Sequence, residues 1–179
     1  GQYQYGHVQP WSHDGPGALG DIAPDVTAVG AWGSGAQPLN SYFGNGQAAY
    51  DIFGGTSMST PVAAGNLALI YQAFYSQPEN QRWPTWQEAR SLLLGSAQDL
   101  GYDRLTQGSG NVQAGRAIDR ITGLAAWAAP AQWQAGEDQG QEYPETPALL
   151  FPGSQDQQEI TIHNPTGQRI AVSSTGQTL

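Results

Sequence analysis

The chain has 179 residues with no cysteine, and its six cationic residues are all arginines, against fifteen acidic residues and a net charge of −9. The lack of cysteine excludes disulfides, thiol nucleophiles and cysteine-based metal sites. The sequence has no basic stripe that could neutralise phosphates, so nucleic acid is not an expected partner. No apolar run reaches the length of a membrane span. The composition, rich in glutamine and aromatic residues, indicates an extracellular or cell-surface protein.

The first fifty residues are rich in glycine, proline and aromatic residues and contain only short strand-like runs, such as residues 25–29. This composition predicts loops that connect strands. Two short segments stand out, Ser-His-Asp-Gly-Pro at 12–16 and Pro-Asp-Val-Thr-Ala-Val-Gly at 24–30. Asp25 is expected to cap a turn beside Pro24, and His13 is expected to be an exposed loop residue.

A serine stands between a glycine turn and a helix start in residues 53–65, Phe-Gly-Gly-Thr-Ser-Met-Ser-Thr-Pro-Val-Ala-Ala-Gly. Gly54 and Gly55 lack Cβ atoms and can adopt the angles of a sharp turn. Ser57 would then lie at a helix N-terminus, where free N–H groups and the positive end of the dipole face any developing negative charge. This pattern predicts a displayed nucleophile for acyl transfer; an ordinary N-cap serine is the alternative.

Three helices are predicted from periodicity and capping signals, over residues 57–75, about 86–94 and about 112–121. The first is apolar on nearly every side, so it is expected to be central and buried. Thr85 and Glu88 have the spacing of a capping box for the second helix. Asn111 could cap the third.

The chain changes character after residue 124. Residues 125–146 are rich in alanine, glutamine, proline and acidic residues and predict a linker, with Trp127 and Trp133 as buried anchors. Residues 159–163 and 169–173 then alternate polar with apolar residues around Asn-Pro-Thr-Gly, which predicts a β-hairpin. Because two strands alone are marginal in water, these strands should pair with more of the protein.

The stretch around Ser57 resembles the serine block of the subtilisin-like proteases (subtilases), Gly-Thr-Ser-Met-x-x-Pro followed shortly by Ala-Gly. Residues 12–16, 24–30 and 108–114 resemble further segments of that family in the family's order, so the resemblance covers roughly residues 11–121. Val29 stands where the family usually has proline, and Val62 stands where many members have histidine. Neither position carries the chemistry.

The resemblance implies an α/β fold, with residues 1–124 as the C-terminal portion of a subtilisin-like catalytic domain, a mostly parallel sheet flanked by helices. The linker 125–146 and the start of a β-sandwich-like domain at 147–179 would follow. Family members often bind calcium, so calcium is possible by resemblance. Asp99 and Asp103 lack the spacing of a calcium loop, and no metal ligand or other cofactor is assigned.

The resemblance also implies a serine endopeptidase that acts on a peptide or protein substrate. Ser57 would form the acyl-enzyme, and its backbone N–H would contribute to the oxyanion hole. Gly54, Gly55 and Thr56 would shape the wall beside the scissile bond.

The other catalytic residues of the family are absent from this sequence. In the family an aspartate, a histidine followed by Gly-Thr, and an oxyanion asparagine precede the serine, whereas the 56 residues before Ser57 reproduce none of these blocks. His7, His13 and His163 lie in other contexts, so no catalytic histidine is assigned. Since a serine without a base is a poor nucleophile, this chain alone should be inactive, with an N-terminal part of the same protease supplying aspartate, histidine and asparagine.

Two alternatives stay open. The chain could be a catalytically inactive subtilase remnant that serves as an extracellular structural or assembly component. It could also be a sedolisin-like serine-carboxyl peptidase, a family with a related Gly-Thr-Ser motif, although Met58 and the segment at 12–16 favour subtilases.

Overall fold

A computed structural model describes residues 6–18, 20, 22–36, 49–133, 152–153 and 155–173. In these ranges the chain forms a mixed α/β structure. Its elements in order are β1 (Gly33–Ala36), β2 (Tyr50–Phe53), α1 (Thr56–Tyr75), α2 (Trp86–Ser96), α3 (Arg104–Gln107), α4 (Ala114–Ile121), β3 (Trp127–Ala129) and β4 (Thr161–His163). Within the described ranges, no helix is long and apolar enough to cross a membrane.

The long helix α1 confirms the first predicted helix, but it is less buried than expected. Ile70 and Phe74 are its buried side chains, whereas Ala64, Ala68 and Leu69 are exposed. The helix packs on α2 and α4 along one side, and no described residue covers the opposite side. A helix that is apolar all round therefore has an uncovered apolar face.

Helix α2 begins where the sequence predicts. The Thr85 hydroxyl accepts a hydrogen bond from the Glu88 N–H at 3.2 Å, and the Glu88 carboxylate accepts one from the Thr85 N–H at 2.8 Å. This reciprocal pair is the capping box. The helix continues through Gly95 to Ser96, two residues beyond the predicted end at Leu94.

Helix α4 begins later than predicted, and Asn111 does not cap it. Asn111 forms backbone bridges to Thr27 and to Gln98 instead, so its main chain belongs to a small strand arrangement. The N-cap position is Gln113, whose side chain makes no capping hydrogen bond. The helix ends at Ile121, as the sequence predicts.

Two small antiparallel sheets flank the helices. β1 pairs with β2, with Gly33 opposite Phe53, and β3 pairs with β4, with Trp127 opposite His163. The parallel pairing seen among the described residues is the single bridge between Thr27 and Asn111. The mostly parallel sheet and the β-sandwich that the resemblance implies therefore stay predictions.

The predicted β-hairpin near the C-terminus is not formed in this structure. Its turn exists, because the Asn164 side-chain amide donates to the Gln168 carbonyl at 2.8 Å. However, β4 pairs with β3, and residues 169–173 form no strand. Pairing with β3 brings the His163 ring onto the face of the Trp127 ring, a contact that an isolated two-stranded hairpin would not make.

One hydrophobic core lies between α1, α2 and α4. Its buried members are Ile70, Phe74, Leu92, Leu93, Val112, Ala117 and Ile121. Val26 and Ala28 of the preceding extended segment and Trp127 of β3 pack against it. Trp127 thus anchors the start of the predicted linker, as expected. Most of that linker, at 134–146, and residues 147–151 of the predicted β-rich domain lie outside the described residues, so the domain division stays a prediction.

Candidate functional site

Ser57 lies in the first turn of α1 with its side chain exposed. Gly55 is the N-cap residue, with φ 149° and ψ 167°, a backbone conformation that side-chain-bearing residues rarely adopt. No described residue forms a hydrogen bond with the Ser57 hydroxyl or with the Ser57 backbone N–H. The serine is therefore not a capping serine, because its hydroxyl satisfies no N–H of its own helix.

The electrostatics of this helix end favour negative charge. The twenty residues of α1 align their peptide dipoles, and its first turn carries no acidic side chain that could neutralise the positive end. The Ser57 N–H lies in this turn and is free of intrahelical partners. An oxyanion forming beside the Ser57 hydroxyl would meet this free donor.

Gly54, Gly55 and Thr56, the other predicted site residues, form the turn that leads into Ser57. A Cβ atom on Gly54 would lie 3.1 Å from the Gly30 carbonyl oxygen and 3.3 Å from the Ala31 Cα, so only glycine fits without a shift. The Thr56 carbonyl accepts hydrogen bonds from two side chains of the next turn. This turn is thus held from both sides, whereas contact of these residues with a substrate stays a prediction.

The three histidines are not bonded to Ser57. His7 makes an edge contact with Tyr102, with ring centroids 6.4 Å apart, and His163 stacks on Trp127 at 3.8 Å. His13 is exposed, as predicted, and lines a cavity that Ser57 does not line. No catalytic base for Ser57 is found among the described residues.

Asp25 also has a structural role. Its carboxylate forms an ion pair with Arg90 at 2.6 Å, and its carbonyl accepts from the Ser109 N–H at 2.8 Å. These contacts attach the extended segment at 25–30 to α2 and to the loop before α4. The aspartate is engaged in fixing that segment and does not approach Ser57 through any hydrogen bond.

A large cavity of about 840 Å³ lies beside the first turns of α1. It is bounded by residues 6–13, by the extended segment 26–32 and by Thr56, Ser59, Thr60 and Ala63 of α1. The Thr27 hydroxyl oxygen is buried without a hydrogen-bond partner, and Thr27 lines this cavity.

Asp99 and Asp103 are each engaged in local hydrogen bonds. Asp99 accepts hydrogen bonds from the Gly101 N–H and the Gln107 amide, and these bonds lower the pKa of its carboxyl. Asp103 caps α3 and accepts from the Thr106 hydroxyl, which likewise lowers its pKa. Within the described ranges no three histidine or acidic residues come together to hold a metal ion.

Sequence reasoning missed one residue of the site, Gly30. The Gly55 N–H donates to the Gly30 carbonyl at 2.6 Å, so the last residue of segment 24–30 touches the turn before Ser57. Neither the strand-like run at 25–29 nor the family resemblance of this segment predicts that contact. A glycine at the end of an extended run is the signal for a close backbone approach.

Comparison with known proteins places this serine in a family context. The family model of the subtilase family, Peptidase_S8, matches residues 1–112. Tripeptidyl-peptidase 2 from Oryza sativa subsp. japonica is 29% identical over 109 residues, which cover 61% of this chain and 8% of that protein. The chain thus spans under a tenth of the length of this relative. Since the family model covers more than half of the 179 residues, the chain belongs to the subtilase family of serine peptidases.

Proposed function

We propose that this chain is the nucleophile-bearing C-terminal part of a subtilase catalytic domain that hydrolyses peptide bonds. Its aspartate, histidine and oxyanion asparagine would come from an N-terminal part of the same protease that this sequence does not contain. The observation that carries the proposal is Ser57 itself, which is exposed in the first turn of α1 and whose hydroxyl and N–H have no hydrogen-bond partner among the described residues.

The proposed reaction proceeds through an acyl-enzyme. The Ser57 Oγ attacks the carbonyl carbon of the scissile peptide bond, and the histidine supplied from outside this chain takes the hydroxyl proton. The Ser57 N–H donates to the oxyanion that forms, together with the asparagine supplied from outside. The histidine then protonates the leaving amine, and a water molecule hydrolyses the ester. This chain contributes the nucleophile and one oxyanion donor.

The extended segment at 26–28 supports the completion of this domain by another part of the protease. On one edge, the Thr27 N–H donates to the Gly110 carbonyl, and the Thr27 carbonyl accepts from the Val112 N–H, both at 2.9 Å. The main-chain groups of Val26 and Ala28, which point to the opposite edge, have no partner among the described residues. An added strand would pair with this edge and fill part of the cavity.

The exposed face of α1 supports the same proposal. Pro61, Ala64, Gly65 and Ala68 form a face of small residues that begins one turn after Ser57, and a Cβ atom on Gly65 would meet nothing within 4 Å. Small residues permit close approach of a covering element. A covering element at this place would lie beside the nucleophile, where the missing base must be.

Fluorophosphonate labelling tests the proposal, because this probe reacts rapidly only with an activated serine. The native preparation is labelled, separated on a denaturing gel and analysed by mass spectrometry. We expect modification at Ser57, either on a 19 kDa band, for a nicked protease, or on a larger band, for an intact one. Chymotryptic digestion and tandem mass spectrometry identify the modified residue, because this chain has no lysine and its first arginine is Arg82, which leaves Ser57 in a very long tryptic peptide.

A pair of serine variants on the same helix controls the experiment. Ser57→Ala should abolish both labelling and peptide hydrolysis, while its exposed position predicts a free energy of unfolding within about 0.5 kcal/mol of wild type. Ser76→Ala, at the other end of α1, removes a hydroxyl that donates to the Gln72 carbonyl and should keep full labelling. Hydrolysis that survives in Ser57→Ala would refute the assignment.

An inactive remnant is the second candidate, favoured by the absence of any base bonded to Ser57 among the described residues. In that case the folded protein would not react with fluorophosphonate in any preparation. The chain would then be recovered in a stoichiometric complex without any polypeptide that carries His-Gly-Thr. An extracellular or cell-surface location is part of both candidates and is tested by fractionation of the producing cells.

A further inference from the structure

Two backbone segments meet at the start of α1 without a side chain between them. The Gly55 N–H donates to the Gly30 carbonyl at 2.6 Å, and a Cβ atom on Gly54 would lie 3.1 Å from the Gly30 carbonyl oxygen and 3.3 Å from the Ala31 Cα, closer than ordinary contact. Glycine at these three positions permits this approach. The turn before Ser57 therefore rests directly on the main chain at Gly30.

Glycine is required at position 30 because a side chain would not fit there, and not because of its backbone angles. It is not among the residues with positive φ, so alanine could adopt its conformation. A Cβ atom there would lie 2.8 Å from the Gly55 carbonyl oxygen, 3.1 Å from the Ser59 Cβ and 3.3 Å from the Ser59 Oγ. The first of these atoms belongs to the backbone, so the turn itself would have to move.

The Gly55 carbonyl also organises the first turn of α1. It accepts hydrogen bonds from the Met58 N–H at 3.0 Å and the Ser59 N–H at 3.3 Å. Ser57 lies between the acceptor and these two donors. Any shift of the Gly55 carbonyl therefore changes the direction of the Ser57 hydroxyl and of the Ser57 N–H.

We infer that Gly30 is a positioning residue for Ser57, because its carbonyl and its missing side chain fix the turn that presents the nucleophile. This inference rests on the proposed function. The support comes from the core, because Thr27, three residues before Gly30, is bonded through its N–H to Gly110 and through its carbonyl to Val112. Gly30 thus connects the packed interior to the reactive end of α1.

Gly30→Ala in the protease that contains this chain tests the inference. A displacement of about 1 Å can cost on the order of 100-fold in rate, so we expect the fluorophosphonate labelling rate and kcat to fall by about 10- to 100-fold. KM should change by less than about threefold, because Gly30 touches the nucleophile turn and not the substrate. The folded fraction is measured by circular dichroism, and rates are expressed per folded molecule.

Two glycine variants serve as matched controls. Gly123→Ala would place a Cβ atom 2.9 Å from the Pro165 carbonyl oxygen at a φ of +90°, so it should lower Tm while leaving the labelling rate per folded molecule unchanged. Gly115→Ala lies on α4 in open space and should lower neither quantity. If Gly30→Ala does not fold, Gly54→Ala replaces it, because its closest contacts are milder and a fall of about three- to tenfold is expected.

The outcomes separate the inference from the proposed function. Labelling of wild type with an equal rate in Gly30→Ala would overturn the positioning role and leave the protease proposal intact. A rate that falls equally per folded molecule in Gly30→Ala and Gly123→Ala would also overturn it, since the loss would then be a general effect of backbone damage. Absence of labelling in wild type would overturn both.

Discussion

The side-chain oxygen of Asn66 in α1 accepts a hydrogen bond at 2.8 Å from the N–H of Ala114, the first residue of α4. Asn66 is bonded on its other side, because its amide nitrogen donates to the Val62 carbonyl at 2.8 Å. The cap that α4 does not receive from Gln113 therefore comes from a residue 48 positions away. The contact joins the two helices at the core.

Replacement of Asn66 should destabilise the fold through this cap. Asn66→Ala leaves the Ala114 N–H without its acceptor, and we expect the free energy of unfolding to fall by about 1–2 kcal/mol. Asn66→Asp keeps an acceptor oxygen at a helix N-terminus and should lose clearly less. Urea denaturation followed by circular dichroism measures both. Equal losses in the two variants would show that the hydrogen bond from the Asn66 side-chain amide to the Val62 carbonyl, and not the cap, is the stabilising contact.

These caps illustrate which parts of the structure the sequence can predict. Thr85 and Glu88 of the capping box are three positions apart, so their spacing in the sequence identifies it. The cap of α4 depends on Asn66, which only the packing of two helices brings to Ala114. Asn111, a reasonable cap by local rules, pairs with Thr27 and Gln98 instead, because tertiary pairing prevails over local preference.

Glu88 receives two kinds of hydrogen bond at the start of α2. Its carboxylate forms a two-pronged pair with Arg82, at 2.7 and 2.8 Å, and also accepts from the Thr85 N–H. The Arg82 guanidinium, which also lies over the Phe74 ring, is the largest cause that lowers the pKa of Glu88 from 4.5 to about 2. The ionised form is therefore favoured in the folded state.

This pKa shift predicts how Glu88 contributes to stability as pH changes. A lowered folded-state pKa gives stability that is complete above about pH 4.5 and is lost as pH falls towards 2. Glu88→Gln should therefore cost roughly 1–3 kcal/mol at pH 7, and its difference from wild type should shrink steadily from pH 4.5 to 2. Urea denaturation across this pH range measures the difference.

Glu79→Gln is the control for the pH experiment. Glu79 is exposed and makes no ion pair among the described residues, so its replacement should change stability by less than about 0.5 kcal/mol at pH 7. Both variants lose one negative charge, so the difference between them excludes the effect of net charge on stability. A Glu88→Gln deficit that stays constant down to pH 2 would contradict the ion-pair account.

The candidate site, like the fold, has features that the local sequence predicts and features that depend on contacts between distant residues. Ser57 and its glycine turn were predicted because nucleophile, turn and helix start are consecutive in the chain. The contact of Gly55 with Gly30 joins residues 25 positions apart and depends on how the extended segment packs. The uncovered face of α1 shows what hydrophobic periodicity cannot predict. The pattern predicts a helix that is buried on all sides, but it does not identify the elements that cover it.

The C-terminal segment gives a last case in which distant pairing replaces a local prediction. β4 pairs with β3, and the His163 ring stacks on the Trp127 ring with centroids 3.8 Å apart and planes 6° apart. Trp127 packs in turn against the hydrophobic core. The stack therefore links residues 161–163 to the helical part of the chain.

A double-mutant cycle on Trp127 and His163 tests this link. Trp127→Leu and His163→Ala should each destabilise the chain, and their double mutant should reveal a coupling energy of roughly 0.5–1.5 kcal/mol, because a stacked ring pair is lost only once. His163→Phe preserves a flat ring and should keep most of this coupling. If residues 161–163 paired with 169–173 as the local pattern predicts, the two rings would not meet, and urea denaturation would give additive losses with no coupling.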